Sequence, residues 1–223
     1  MDQERSAKVQ AVVVIGGGAL SERAVAAIRP AAVVIAADSG MDHALAAGLR
    51  PSVLVGDLDS ISAAGRMWAY AHEADIDEHP TDKDLTDTEI AIARAIAVDD
   101  VHHLLLIGGV DEAGERRLDH QLATILALGH PALGALHSVQ AVLGDTALSI
   151  VHPGCHVVLD VEEGQLFSLL AMHGPCSGVT VTGARWPLTD ATLTGTEARG
   201  VSNEAGDRTD VHVAAGVLTV VTP

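Results

Sequence analysis

Lysine is almost missing from this chain: Lys8 and Lys83 are the only two in 223 residues. With a formal charge of -17 at pH 7, the surface repels phosphate backbones and anionic lipid, so nucleic acid and membrane are excluded as expected partners. A small cation would instead be attracted. Cysteine is equally scarce. Cys155 and Cys176 stand alone, and a chain of this length needs no disulfide to hold its core, so both are read as reduced thiols. Long apolar runs are absent too: Ala31 to Ala37 and Leu104 to Ile107 fall far short of the ~20 residues that cross a bilayer. Met1 to Gln10 are polar and mixed in charge, unlike a secretory signal, which points to a cytoplasmic protein. Neither Gly-Lys-Ser nor Gly-Lys-Thr occurs, which excludes a P-loop NTPase. Gly16-Gly17-Gly18 lacks the spacing of the dinucleotide-binding fingerprint.

What is present is apolar enough, at 48% hydrophobic residues, to bury one large core or two smaller ones. The first half alternates β-branched runs with Ala-rich segments, the rhythm of β-α units on a parallel sheet. Strands are expected at Val12 to Ile15, Val33 to Ala37, Val53 to Val55 and His103 to Ile107. Helices are expected around Ser21 to Ile28, Met41 to Ala47, Ser62 to His72, Glu89 to Ala97 and Gln121 to Leu128. Beyond about Ala135 the pattern becomes alternating apolar and polar, broken by turns such as Gly144-Asp145 and Pro153-Gly154, which predicts antiparallel strands. The fold class is therefore α/β: a Rossmann-like, doubly wound parallel-sheet domain over 1–138, followed by a smaller antiparallel β-sandwich domain over 139–223.

Three acidic segments carry the chemistry. Val53-Leu54-Val55-Gly56-Asp57-Leu58-Asp59-Ser60 runs a hydrophobic strand into two aspartates at i and i+2, which extended chain places on one side. Two like charges held at the carboxyl end of a parallel sheet call for a cation, and a divalent metal fits. Thr81-Asp82-Lys83-Asp84-Leu85-Thr86-Asp87-Thr88-Glu89 precedes a helix. Thr86 and Glu89 have capping-box spacing, but capping leaves Lys83 and Asp84 unexplained, and a helix N-terminus beside a lysine suits a phosphate and its metal. Arg117-Leu118-Asp119-His120 opens the next helix, with Arg117 a candidate phosphate ligand and Asp119 beside it for metal or a substrate amine. All three follow strand ends and so can converge on one crevice for a polyphosphate.

The order of these motifs resembles the thiamine pyrophosphokinase family. The match runs through Ala37-Asp38-Ser39-Gly40, Gly48-Leu49-Arg50-Pro51, Gly56-Asp57-Leu58-Asp59-Ser60, Lys83 to Glu89 and Arg117 to His120. It continues with Gly183-Ala184-Arg185-Trp186-Pro187-Leu188 and Gly200-Val201-Ser202-Asn203-Glu204. The resemblance implies a homodimer with active sites between subunits, and transfer of the β,γ-pyrophosphoryl group of ATP to the hydroxyl of thiamine. It implies that Asp57, Asp59, Asp84, Asp87 and Asp119 are catalytic, with Mg²⁺ on Asp57, Asp59 and Asp87. Asp38, Lys83, Thr86 and Arg117 would then bind ATP, and Ser202 and Asn203 thiamine. Asp84 or Asp119 would accept the hydroxyl proton. The sequence departs from the family pattern at Ser39 and Asp42, where glycine and asparagine are more usual, and no aromatic residue follows Asn203 to stack on a ring. Trp186 is the candidate to supply that aromatic, but a lone tryptophan in a β region is more often a core residue, and the core is the expectation.

Other readings are weaker. Asp57-Leu58-Asp59-Ser60 also resembles the nucleophile loop of haloacid-dehalogenase-type phosphatases, but no later acidic pair follows a strand. His152, Cys155 and His156 lie close in sequence, yet Pro153-Gly154 makes a turn there and no second pair completes a zinc site. A pyrophosphokinase for another heterocyclic alcohol, such as a hydroxymethylpterin, stays open, as does a non-catalytic sensor of nucleotide or thiamine diphosphate.

Overall fold

The computed structural model describes residues 8–109 and 117–223. The chain forms two compact units, Met1–Arg116 and Arg117–Pro223. This division falls before the expected 138/139 boundary because the second unit also takes in a helix and a 3-10 turn that precede its strands.

The first unit is built on five parallel strands: β1 (Val9–Val14), β2 (Val33–Ala37), β3 (Val53–Gly56), β4 (Asp75–Glu78) and β5 (Val101–Gly108). Their order across the sheet is β5-β1-β2-β3-β4, every neighbouring pair parallel. Val12, Val13, Ile35, Leu54 and Leu106 are fully buried, and burying each such side chain contributes about 1.5–3 kcal/mol. Strands covered on both faces read as continuous apolar runs, which is why β1, β2, β3 and β5 are visible in the sequence. The edge strand β4, Asp-Ile-Asp-Glu, carries one apolar residue and no such signal. Four helices connect the strands: α1 (Glu22–Ala26), α2 (Gly40–Ala46), α3 (Ala63–Ala71) and α4 (Asp87–Ile96), all near their expected positions.

Sheet growth changes direction between β1 and β5. The chain adds β2, β3 and β4 on one side of β1, then returns through α4, which packs against β1, β2, β3 and β5, to place β5 on the other side. Open α/β sheets bind ligands beyond the carboxyl ends of their strands near such a reversal. The backbones there approach closely: a Cβ on Gly17 (φ 101°) would lie 2.7 Å from the carbonyl oxygen of Gly109.

The second unit begins with α5 (Leu118–Ala127) and a 3-10 turn (Pro131–Ala135). Eight strands follow: β6 (Ser138–Leu143), β7 (Thr146–Val151), β8 (His156–Val158), β9 (Leu166–Leu170), β10 (Cys176–Ala184), β11 (Leu188–Leu193), β12 (Asn203–His212) and β13 (Leu218–Thr222). Their pairings are antiparallel, running β6-β7-β13-β9-β12-β10-β11, with β8 also on β12. One core collects Val151, Phe167, Leu169, Val179, Val181, Leu193, Val211 and Val220 from six of these strands. His152 is buried, with Nε2 3.2 Å from the carbonyl oxygen of Leu128. Cys155 and Cys176 are free thiols. No helix among the described residues is long and apolar enough to cross a membrane.

Candidate active site

The site of the first unit starts at the end of β2. Asp38 stands in the left-handed region (φ 45°) and its Oδ1 accepts a 3.1 Å hydrogen bond from the backbone N–H of Leu58. Gly56, the last residue of β3, makes room for this contact. A Cβ on Gly56 (φ 141°) would lie 2.1 Å from Asp38 Oδ1, so only glycine allows the two strand ends to meet as they do.

Asp57 and Asp59 follow. The N–H of Asp59 donates to Asp57 Oδ1 at 3.2 Å, and one oxygen each from Asp38, Asp57 and Asp59 lie within 4.8 Å of one another. They are the only metal-capable trio of carboxylate, histidine or cysteine groups among the described residues. Two unit charges at that separation repel by about 3 kcal/mol at an effective dielectric constant of 20. The proton equilibria reflect this. Burial, with the negative charges of Asp87 and Asp57, pushes Asp38 from 3.8 up to about 7. The hydrogen bond from Asp59 N–H, assisted by Lys83, holds Asp57 below its ordinary value, while Asp59 is raised by the carboxylate of Asp57 against it.

Lys83 arrives from the loop before α4. Its Nζ lies 3.1 Å from Asp87 Oδ1 and 3.8 Å from Asp57 Oδ2, and it donates to the carbonyl oxygen of Pro80 at 3.1 Å. Burial disfavours its charge, but Asp87, Asp57 and Asp38 outweigh that and raise the lysine above its ordinary value. Asp87 Oδ1 is buried, and its approach to Lys83 is an ion pair without hydrogen-bond geometry, so the oxygen has no hydrogen-bond partner. Thr86 caps α4: its Oγ1 accepts from Glu89 N–H at 3.2 Å, and its own N–H donates to Glu89 Oε2 at 2.8 Å. The capping role is thus realised at Thr86. Asp84 is exposed.

The third acidic segment belongs to the second unit. Arg117 precedes α5 and makes a fork onto Asp119, with Nε to Oδ1 at 3.0 Å and Nη2 to Oδ2 at 2.9 Å. This bidentate pair holds Asp119 at about 2, against an ordinary 3.8. The described residues therefore bring together Asp38, Asp57, Asp59, Lys83 and Asp87, while Arg117 and Asp119 form their own pair.

Further along the second unit, Glu163, Arg185, Glu204 and Arg208 line an open cleft of about 710 Å³. Arg185 Nη1 pairs with Glu204 Oε2 at 2.6 Å, and its guanidinium carbon lies 4.8 Å from the centre of the Trp186 ring. Trp186 is 52% exposed, which corrects the expectation that it belongs to the core. The reason is Asn203. That side chain is buried and grips the backbone of Trp186 in both directions: Nδ2 donates to Trp186 O at 2.8 Å, and Oδ1 accepts from Trp186 N–H at 3.1 Å. The polypeptide is anchored and the ring faces outward. Oδ1 also accepts from Glu204 N–H at 2.8 Å. Ser202 (φ 57°) is exposed, with its N–H donating to Ser168 Oγ at 3.0 Å.

The fold as a whole is that of the thiamine pyrophosphokinases of known structure. The Bacillus subtilis enzyme superposes with a TM-score of 0.76 at 21% identity, over 96% of this chain and 98% of that one. The Candida albicans enzyme gives 0.73 at 11% identity, over 96% and 89%, and the yeast enzyme 0.69 at 12%, over 98% and 87%. No curated protein sequence matches the chain. Family models settle what the fold alone cannot: the thiamin pyrophosphokinase catalytic domain matches residues 26–138 and its vitamin B1 binding domain residues 155–218. The chain belongs to the thiamin pyrophosphokinase family.

Proposed function

We propose that this protein transfers the β,γ-pyrophosphoryl group of ATP to the hydroxyl of thiamine, giving thiamine diphosphate and AMP. The observation that carries this reading is the trio Asp38, Asp57 and Asp59 with Lys83 beside it, inside the segment matched by the catalytic-domain model. The donors are all hard carboxylate oxygens, three negative groups converge, and Asp87 Oδ1 is buried without a hydrogen-bond partner. Such a set fits Mg²⁺. Asp38, Asp57 and Asp59 would hold the ion with Asp87 at their side, and when bound it supplies charge neutralisation to the polyphosphate.

The remaining roles fall to the chain's own side chains. Lys83, which pairs with Asp87 and Asp57, would bind a phosphate oxygen of ATP. Arg117 is the second cation of the reading. Of the two candidate proton acceptors, Asp119 is a weak base because Arg117 holds it at about 2, which favours Asp84 as the residue that takes the hydroxyl proton. Catalysis in this scheme is positioning and electrostatic stabilisation, as in other phosphoryl transfers. In the second unit, Ser202 faces thiamine, and Asn203 contributes by fixing Trp186 rather than by touching the ring. The reading includes a homodimer in the cytoplasm, a Rossmann-like first domain and a β-sandwich second domain.

The lack of an aromatic residue after Asn203 leaves the ring pocket open to a competing alcohol, a hydroxymethylpterin. AMP release by the purified chain with ATP and Mg²⁺ decides between them. Thiamine-dependent AMP, with thiamine diphosphate as co-product, is the expected result; release only with the pterin transfers the activity to that acceptor. Silence with both, with ligand still bound, identifies a non-catalytic sensor.

A further inference from the structure

Between the two adjacent site aspartates sits a residue in an unusual backbone state. Leu58 has φ 62°, the left-handed region in which a Cβ is disfavoured and glycine is the usual occupant. A leucine stays there only if its surroundings over-determine it. Three contacts do so. Its side chain, 3% exposed, is buried among Ala36, Met41, Leu54, Ile61 and Ala69. Its N–H donates to Asp38 Oδ1 at 3.1 Å. Its carbonyl oxygen accepts from a guanidinium nitrogen of Arg66, which is carried on α3.

The consequence reaches the carboxylates. With residue 58 left-handed, Asp57 and Asp59 close on each other, and the N–H of Asp59 meets Asp57 Oδ1 at 3.2 Å. Extended chain would also put i and i+2 on one side, but without that contact. Helix α3 is itself pinned: Asp42, on α2, accepts from the N–H of the N-cap Ser62 at 2.8 Å and from its hydroxyl at 2.5 Å. Arg66, one turn into the helix, is thereby delivered to the turn it holds.

We infer that Arg66 is a positioning residue for the Asp57 and Asp59 carboxylates, acting through the carbonyl of Leu58 between them. The inference rests on the metal-dependent reading given above. Groups that orient metal-ligating residues without touching the metal characteristically weaken its binding when removed.

The test is Mn²⁺ uptake by the full chain, followed by electron paramagnetic resonance of the free ion, alongside thermal melting. Wild type, Arg66→Met, Arg66→Lys and Asp59→Asn are compared. Arg66→Met keeps the apolar stem and loses the donor; it is expected to raise the Kd for Mn²⁺ by roughly ten- to a hundredfold at an unchanged melting temperature. Arg66→Lys, which retains a donor, should fall between it and wild type. In thiamine-dependent AMP release, the Met variant should lose kcat with the KM for thiamine unaltered. Wild-type Mn²⁺ affinity in Arg66→Met overturns the inference, as does a loss that tracks a lowered melting temperature in both Arg66 variants. Should the Met variant be unfolded, Arg66→Lys decides: a raised Kd at an unchanged melting temperature supports the inference, and an unchanged Kd overturns it. Absence of saturable Mn²⁺ binding by wild type, or undiminished binding by Asp59→Asn, defeats the metal reading itself, and the inference with it.

Discussion

Asp38 in the first unit and Asp119 in the second are the same side chain in opposite surroundings. Asp38 is half-buried among other carboxylates and is pushed up to about 7. Asp119 lies in the open under an arginine fork and is held at about 2. The difference teaches that an aspartate in a family motif is not thereby an ionised metal ligand. What decides is whether its nearest neighbour is another anion or a cation. In the first unit, negative charge is concentrated beyond what Lys83 offsets; in the second, the motif is already paired.

The largest expected effect tests this contrast directly. Asp57→Asn and Asp59→Asn should each lower thiamine-dependent AMP release by on the order of 10²–10³-fold, about 3–4 kcal/mol of transition-state stabilisation. Asp119→Asn, which breaks a pair already formed, should cost less than either. A loss at Asp119 as large as at Asp59 would erase the distinction between the two regions. Next is Gly56→Ala. The new Cβ meets Asp38 Oδ1 at a backbone angle that L-residues rarely adopt, and urea denaturation should show a stability loss of about 1–3 kcal/mol.

The pH dependence of the metal-free protein is a smaller effect. Folding raises Asp38 from 3.8 to about 7, so the folded chain retains a proton there that the unfolded chain has released. This contribution is complete below about pH 4 and is lost as pH rises through 7. Urea midpoints measured in chelator should fall for wild type across that window, and Asp38→Asn should flatten the fall. Asp119 has the opposite sign: its contribution is present above its ordinary value and is lost as pH falls through about 2. The smallest effect belongs to Arg117→Ala. It breaks an exposed ion pair, and exposed pairs contribute little, so its melting curve should overlay that of wild type.

The sequence made most of the first unit legible because β1, β2, β3 and β5 are apolar throughout, while β4 is concealed by its charged edge position. At the site, Asp57 with Asp59 and Lys83 with Asp87 are readable because local spacing pairs them, and the two segments meet because each follows a strand end of the same sheet. The family resemblance assigns Asp38 to the nucleotide rather than to the carboxylates. Its partner Leu58 is twenty residues away, and no spacing rule predicts the approach that Gly56 permits. Arg66 leaves no sequence signal for the same reason, since it acts on a main-chain carbonyl and belongs to no motif. The outward ring of Trp186 was likewise hidden, because the grip that exposes it comes from Asn203, seventeen residues later. Thr86 shows the converse: both its capping role and its place beside the acidic cluster were written in a four-residue pattern.

The chain holds only two tryptophans, and the structure gives one to each unit in a different electronic setting. Trp68 stacks on His72 with ring centroids 4.1 Å apart and planes 14° from parallel, whereas Trp186 lies beneath the guanidinium of Arg185. Each half of the molecule therefore carries its own native fluorophore: replacement of His72 alters the emission of the first, and disruption of the Arg185–Glu204 pair that of the second. With each indole removed in turn, the unfolding of the two units can be watched separately, with no dye attached.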